Sequence, residues 1–386
     1  MKLKICIITG SRAEYGLLFP LLKAIEKNTN FILQIVATGM HLSPEFGLTY
    51  SEIEKDGFKI DEKVEMLLSS DTDVGIAKST GLGMIGFADT FNRLKPDLVI
   101  ILGDRFEIYA AVTTAYFAKI PIVHLHGGEL TEGSTDEGLR HAITKMAYWH
   151  FTSTESYRNR VIQLGENPER VFNVGAIGID NIKQIELCSK KWLENDLTLN
   201  LNLPFLLITY HPVTLDNNSA EEQFNELLKA LLQFSNLQFI FTKPNADANG
   251  RIIIKLIDDF VKVNPEKSTA FTSLGQKRYL SLMKYAQAII GNSSSGIIET
   301  PSLCVPTVNI GDRQKGRESA ESVINAQVDE QSIVKAIQEA LSPSFQTFCQ
   351  SVQNVYGDGQ TTKRIMEILT VKGIPQNLKK TFFDLK

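Results

Sequence analysis

KICIITGSRAEYGLLFPLLKAIE, residues 4–26, carries the architectural signal of this chain. Lys4 to Thr9 is a short apolar run that predicts a strand, and Gly10 turns the chain. Tyr15 to Glu26 then places Leu17, Leu18, Leu21, Leu22 and Ile25 at helical offsets. That is one strand-turn-helix unit, and the same unit recurs. Ile32 to Thr38, Asp97 to Leu102 and Pro121 to Leu125 read as further strands, each followed by a glycine-bearing or polar turn. Short apolar strands alternating with helices predict a parallel sheet covered on both faces. The pattern restarts at Phe205 to Tyr210 and continues through Leu237 to Thr242, Ala288 to Ile290 and Thr307 to Ile310. A second α/β domain, doubly wound like the first, is expected. The polar, Asn-rich stretch from Lys183 to Leu203, closed by Pro204, reads as the linker. The expected boundaries are therefore 1–182, a linker at 183–203, 204–358, and a closing helix within 359–386 around Thr362 to Leu369.

The 386 residues suit two large domains, and 43% hydrophobic with 22% charged residues supplies a core for each and excludes disorder. No run approaches the roughly 18 apolar residues of a membrane helix. The N-terminus turns into a strand with no small-residue cleavage site, so a cytoplasmic protein with no membrane partner is expected. A formal charge of −4 offers nucleic acid no general attraction. Cys6, Cys188, Cys304 and Cys349 form no C-x-x-C pair, which argues against a disulfide framework and a zinc knuckle; Cys6 and Cys304 read as core filler.

In doubly wound sheets ligands bind beyond the carboxyl ends of the strands, so the turns there hold the candidate chemistry. Gly10 to Gly16 is neither G-x-G-x-x-G nor a lysine-bearing phosphate loop, which argues against NAD and ATP. No cofactor is expected. Arg12 at a helix N-terminus suits a diphosphate, or is a surface residue behind a Ser11 cap. Asp104 and Arg105 stand side by side after an apolar strand and either pair with each other or serve a site. His124, His126 and Glu129 can be drawn as a metal site, with the two histidines on one strand face, but two histidines lack further ligands at a suitable spacing, and no metal is expected. Ser134 and Glu137 fit a capping box, and Asp136 reads equally as a first-turn helix acid or a reactive group.

In the second half His211 sits where Pro212 ends a strand, placed for a phosphate or a proton. Asn292-Ser293-Ser294-Ser295-Gly296 offers hydroxyls and backbone N–H groups that suit a diphosphate without lysine. Glu299 is placed for ribose hydroxyls, or is an exposed helix residue. Arg313, Lys315 and Arg317 follow what reads as the final strand; Arg317 suits phosphate and Lys315 a solvated loop. Facing domains with cations and a serine loop on one wall and Asp104, Glu129 and Asp136 on the other define an expected cleft for a nucleotide-sugar.

SRAEYG (11–16), GDRFE (103–107), HGGE (126–129), STDEGLRHA (134–142), HPVT (211–214), IGNSSSGIIE (290–299) and GDRQKGRE (311–318) resemble, in order and over nearly the whole chain, the hydrolysing UDP-N-acetylglucosamine 2-epimerases of sialic acid biosynthesis. The resemblance implies a GT-B-like fold of two Rossmann-type domains with a cleft between them and a C-terminal helix returning to the first. It implies conversion of UDP-GlcNAc and water to ManNAc and UDP through a glycal-type intermediate. Matched position by position, it puts catalytic roles on Asp104, Glu129, Asp136 and His211. Any of the three acids is a candidate for the base at carbon 2, the choice being set by burial and mutual distance. UDP contacts fall on Arg12, His211, Ser293, Ser294, Ser295, Gly296, Glu299 and Arg317, and sugar-side positions on His41 and Arg105. A homo-oligomer, most simply a dimer, is implied as well.

Several rivals share the fold. A non-hydrolysing epimerase keeps UDP on the sugar, but its first turn reads more like GTRPE than SRAEY. A hydrolysing relative acts on UDP-2,4-diacetamido-2,4,6-trideoxy-glucose in legionaminic acid synthesis and shares these motifs. A GT-B glycosyltransferase needs an acceptor cleft, and a nucleotide-sugar sensor needs no acids.

Overall fold

The computed structural model describes residues 2–70, 72–131, 135–213, 220–244, 250–375 and 377–385. Ser134 and Thr214, quoted in two of the motifs, lie outside the described residues, and with Ser134 the expected capping box. The chain divides into two compact units. The first comprises Met1–Glu129, Asp136–Lys183 and Tyr356–Lys386; the second comprises Leu130–Thr135 and Gln184–Val355.

The first unit contains a seven-stranded parallel sheet of β1 (Leu3–Thr9), β2 (Phe31–Thr38), β3 (Glu62–Val64), β4 (Leu98–Leu102), β5 (Ile122–Leu125), β6 (Trp149–Thr152) and β7 (Val171–Asn173). Its order, β3-β2-β1-β4-β5-β6-β7, reverses between β1 and β4. Alternation along the strands fills both faces. Ile5 and Ile7 of β1 join Leu98, Ile100 and Leu102 of β4 under the helix Arg12–Lys27, while Cys6, Ile8, Val99 and Ile101 pack on the opposite side beneath the helices Asp73–Leu94 and Phe106–Phe117. Both faces are dry, which is why these strands read as continuous apolar runs.

The helix Thr361–Lys372 completes the first core by adding Ile365 and Leu369. Its return is pinned by the fully buried carboxylate of Asp180, which accepts the N–H groups of Thr361 at 2.9 Å and Thr362 at 2.5 Å. The orphan donors of a helix N-terminus are thereby satisfied by charge. Beyond that helix, Lys380 reaches the buried Glu166 at 2.9 Å, beside Lys145 at 2.6 Å and His150 at 3.1 Å. The Phe383 N–H donates to the Gly165 carbonyl at 2.9 Å.

The second unit contains a six-stranded parallel sheet of β8 (Phe205–Thr209), β9 (Gln238–Thr242), β10 (Ser268–Phe271), β11 (Ala288–Gly291), β12 (Thr307–Ile310) and β13 (Val323–Ala326). The order β10-β9-β8-β11-β12-β13 reverses between β8 and β11, so the two sheets share one winding scheme. Leu206, Ile208, Phe239, Phe241, Ile290, Val308 and Ile310 form its main core with the helices Ala220–Leu232 and Glu330–Leu341.

Three expectations are corrected. The stretch 183–203 is not a linker. Ser189 caps a helix, Lys190–Leu197, Leu193 and Leu201 are buried, and the Cys188 N–H donates to Ser281 at 2.9 Å, so this stretch packs within the second unit. Thr307–Ile310 is not the final strand, because β13 pairs with it in parallel. Cys6 is fully buried, but Cys304 is only half-buried and closes a turn at φ +58°.

Candidate active site

The candidate residues lie beyond the carboxyl ends of strands in each unit, those after β1, β4, β8 and β11 flanking the order reversals. In the first unit the turn after β1 is set by contact: a β-carbon at Gly10 would overlap Glu107 Cγ, which leaves room for glycine alone. Ser11 caps the helix by accepting the Glu14 N–H, and Glu14 Oε2 accepts the Gly10 N–H at 2.7 Å. Burial pushes the Glu14 carboxyl up to about 8, with the neighbouring Glu107 adding to the rise. Arg12, the first residue of that helix, pairs with Glu52 at 2.6 Å.

After β4, Asp104 and Arg105 take different partners rather than each other. Arg105 Nε donates to Glu107 Oε1 at 2.8 Å, and Asp104 Oδ2 accepts from Arg140 Nη2. Arg140 is the hub of this cluster. Almost fully buried, it also donates through Nη1 to the Glu129 carbonyl at 2.8 Å and to Glu137 Oε2 at 2.9 Å. One guanidinium thus ties together the turn after β4, the turn after β5 and the helix Asp136–Met146. Glu137 serves Arg140 and, at 3.0 Å, His141. Asp136 is the first residue of that helix.

The Glu129 side chain is buried, and its Oε1 accepts from Ser153 Oγ at 2.8 Å and His126 Nδ1 at 2.9 Å. The two histidines do not share a strand face: β5 ends at Leu125, and His126 turns off it at φ +65°. Nor do they form a metal site with Glu129. His124 Nδ1 meets Thr144 at 3.1 Å and its Nε2 meets the Gly103 carbonyl at 2.9 Å, while His126 Nε2 accepts the Ile177 N–H at 3.3 Å. Burial, aided by nearby His150, holds His124 down at about 3, so it is neutral. His41 lies in the neighbouring turn after β2. Fully buried, it bridges Thr9 Oγ1 at 3.1 Å and Thr49 Oγ1 at 2.9 Å, and burial holds it down at about 4. Its ring braces the turns after β1 and β2.

In the second unit the strand-end turns are built around Asn292. This fully buried residue accepts the His211 N–H through Oδ1 at 2.7 Å and donates Nδ2 to the His211 carbonyl at 2.8 Å, fixing the turn after β8 against the turn after β11. Arg313 and Gln314 donate to the Asn292 carbonyl at 3.0 and 2.8 Å. Gly291, at φ +136°, has no room for a side chain, because a β-carbon would collide with the Thr209 carbonyl oxygen.

Ser293 caps the helix Ser294–Ile298. Ser295 and Gly296 both have packing roles. The Ser295 hydroxyl donates to Tyr279 at 3.2 Å, and Gly296 is buried where a β-carbon would meet Thr307 Cγ2 at 2.9 Å; both pack the helix onto the sheet. Glu299 is buried rather than exposed. Lys315 is exposed beside Asp312, whereas Arg317 is half-buried and donates its N–H to the Gln314 carbonyl at 3.1 Å.

The sequence reading missed Arg140, Asn292, His126 and Ser153 as organisers. Arg140 and Asn292 stood inside quoted motifs. Ser153 carried no signal of its own.

A family model described as UDP-N-acetylglucosamine 2-epimerase matches residues 23–370. The chain is 46% identical over 329 residues, covering 85% of each chain, to a GDP/UDP-N,N'-diacetylbacillosamine 2-epimerase (hydrolyzing) of Campylobacter jejuni. It is 41% identical to the polysialic acid biosynthesis protein P7 of Escherichia coli, covering 92% of this chain and 90% of that one. Among solved structures, UDP-GlcNAc 2-epimerase from Neisseria meningitidis bound to UDP-GlcNAc superposes with a TM-score of 0.80 at 19% identity, over 96% of this chain and 100% of that one. That likeness shows the fold, two Rossmann-type units of the GT-B-like class.

Proposed function

The chain belongs to the UDP-N-acetylglucosamine 2-epimerase family, and from that premise we propose that it converts UDP-GlcNAc and water to ManNAc and UDP. It is an enzyme of the hydrolysing nucleotide-sugar 2-epimerase type. The observation that carries the reading is the buried Arg140, which draws the Asp104 side chain and the Glu129 turn to one guanidinium at the strand ends.

The chemistry asks for such a set. The hydrogen on carbon 2 is not acidic by itself, so cleavage of the bond from carbon 1 to the UDP oxygen runs ahead and builds positive charge on the ring. Asp104, Glu129 and Asp136 stabilise that charge, and one of them takes the carbon 2 proton as the double bond forms. Water then adds at carbon 1, and a proton returns to carbon 2 on the opposite face. General-base help of this kind is worth about two to four powers of ten. Arg12, Arg317 and the Ser293–Ser294 turn carry the diphosphate, His211 assists its departure, Glu299 meets the ribose, and Arg105 meets the sugar. The ligand is a UDP-sugar, and no added cofactor or metal is required.

A second substrate has a specific argument. The relative at 46% identity bears the name of a diacetylbacillosamine 2-epimerase, and a 2,4-diacetamido sugar at the same site is consistent with that likeness. The activity belongs in the cytoplasm, in keeping with four free cysteines. A homo-oligomer is supported by apolar side chains exposed on two helices of the first unit, Leu82 and Ile85 on Asp73–Leu94, and Tyr116 and Phe117 at the end of Phe106–Phe117.

The test is turnover by purified protein, with a chelator and without nicotinamide, in deuterated water. The expected products are UDP and a free 2-epimerised sugar with deuterium at carbon 2. An unlabelled product overturns proton abstraction, and retention of UDP on the sugar overturns the hydrolytic reading. Specificity constants for UDP-GlcNAc and the diacetamido nucleotide-sugar, measured in parallel, choose between the substrates.

A further inference from the structure

We propose that His126 and Ser153 are positioning residues for Glu129, a pair of donors that fixes one carboxylate oxygen and turns the other toward the reacting carbon. The inference rests on the catalytic reading of Glu129 given above. It begins with the backbone. His126 is held at φ +65°, and Gly127 and Gly128 follow it in a turn that tolerates nothing larger: a β-carbon at Gly127 would be 3.0 Å from His124 Nδ1, and one at Gly128 would collide with the Tyr157 carbonyl oxygen. The turn swings Glu129 back over the His126 ring, three residues before it.

The ring's proton is then assigned by its other contact. The Ile177 N–H donates to Nε2, so Nε2 is the acceptor nitrogen and Nδ1 carries the hydrogen. Nδ1 faces Glu129 Oε1 at 2.9 Å, and Ser153 Oγ reaches the same oxygen at 2.8 Å. Ser153 lies just beyond β6, ahead of the helix Glu155–Gln163, so Glu129 is gripped from a neighbouring strand end as well as from its own turn. Two donors converging on one oxygen of a buried carboxylate define its plane and rotation. The charged groups that face this turn from adjoining elements include Arg140 and Glu137 on the helix Asp136–Met146, Asp104 through Arg140, and Arg160, which donates to the Gly128 carbonyl. None is altered in the test.

The experiment compares Ser153→Ala, His126→Ala, His126→Asn and Glu129→Gln in the full-length enzyme, with thermal melts as the folding control. Ser153→Ala and His126→Ala are expected to lower kcat by about ten- to a hundredfold, the range for one hydrogen bond to a charged group, with KM little changed. Both also move the acid limb of the kcat profile to higher pH, because a donor to the charged form favours that form and its loss opposes ionisation of the base. Asparagine tolerates positive φ and presents an amide N–H near the place of Nδ1, so His126→Asn restores most of the rate lost in His126→Ala. An inactive Glu129→Gln beside Ser153→Ala and His126→Ala that keep the parent rate and acid limb overturns the positioning role and leaves the catalytic reading intact. A fully active Glu129→Gln overturns both.

Discussion

Glu14 places an acid in the first turn of a helix and then buries it. The folded pKa, about 8, lies above the ordinary carboxylate value of 4.5, so between those values the folded state holds a proton that the unfolded state has lost. Stability therefore falls as pH rises through that window, by up to about 1.4 kcal/mol per pH unit from this group. Glu14→Gln keeps an acceptor for the Gly10 N–H and cannot ionise. Chemical denaturation is expected to find the variant close to the parent at pH 5 and more stable than it at pH 8. A parallel decline in both proteins would assign the pH dependence to other groups. Single side chains also show what a sequence encodes locally. Asp104 and Glu129 stood out because an acid directly after an apolar strand is chemically unusual. Arg140 stood beside them, yet its partnership with Asp104 spans 36 positions and exists only once the sheet is wound. The partners of His41 and His124 were illegible for the same reason: whether a ring nitrogen is already occupied depends on residues distant in the chain, here Thr9 and Gly103.

The turn after β11 depends on an absent side chain. At Gly291 the left-hand φ and the close approach of the Thr209 carbonyl coincide, so Gly291→Ala must displace β8 from β11 and, with it, the Asn292 clamp on His211. The expected result is a Tm lowered by many degrees and loss of UDP binding by calorimetry. At Gly138, inside the helix Asp136–Met146, an added methyl group would meet nothing within 4 Å, and Gly138→Ala should be neutral or stabilising by up to about 1 kcal/mol. Equal effects of the two changes would refute the packing argument. The central strands β1, β2, β4, β5, β8, β9, β11 and β12 were legible because burial on both faces demands an uninterrupted apolar run. Those missed were β3, β7, β10 and β13, the outer strands of their sheets, and β6 next to β7. Glu62-Lys63-Val64 and Ser268-Thr269-Ala270-Phe271 carry the polar residues that a half-covered edge permits. The helix Lys190–Leu197 was mistaken for linker because its polar surface outweighs the one inward Leu193.

Across the molecule, the division into repeated strand-helix halves was evident from the sequence, whereas the path of the chain's end owes its anchorage to buried charge. Burial alone would raise the Glu166 carboxyl, but His150, Lys145 and Lys380 outweigh it and hold the group down at about 2. A carboxylate depressed in this way stabilises the fold above its ordinary value of 4.5 and loses that contribution as pH falls toward 2. Lys380→Met removes one of those partners together with the donors to the Lys145 and Ala147 carbonyls, at 2.8 and 2.6 Å. Limited proteolysis followed by mass spectrometry should release the segment 377–385 at a higher pH in the variant than in the parent; identical release profiles would show that Phe382 and Phe383 suffice to hold it. The same return path has a temporal consequence. Because Tyr356–Lys386 belongs to the first unit, that unit has no complete core until its last helix leaves the ribosome, while the second, apart from Leu130–Thr135, is already available as one continuous stretch. The customary N-to-C order of folding during translation is thereby reversed, and the half of the protein made first is the half that must wait.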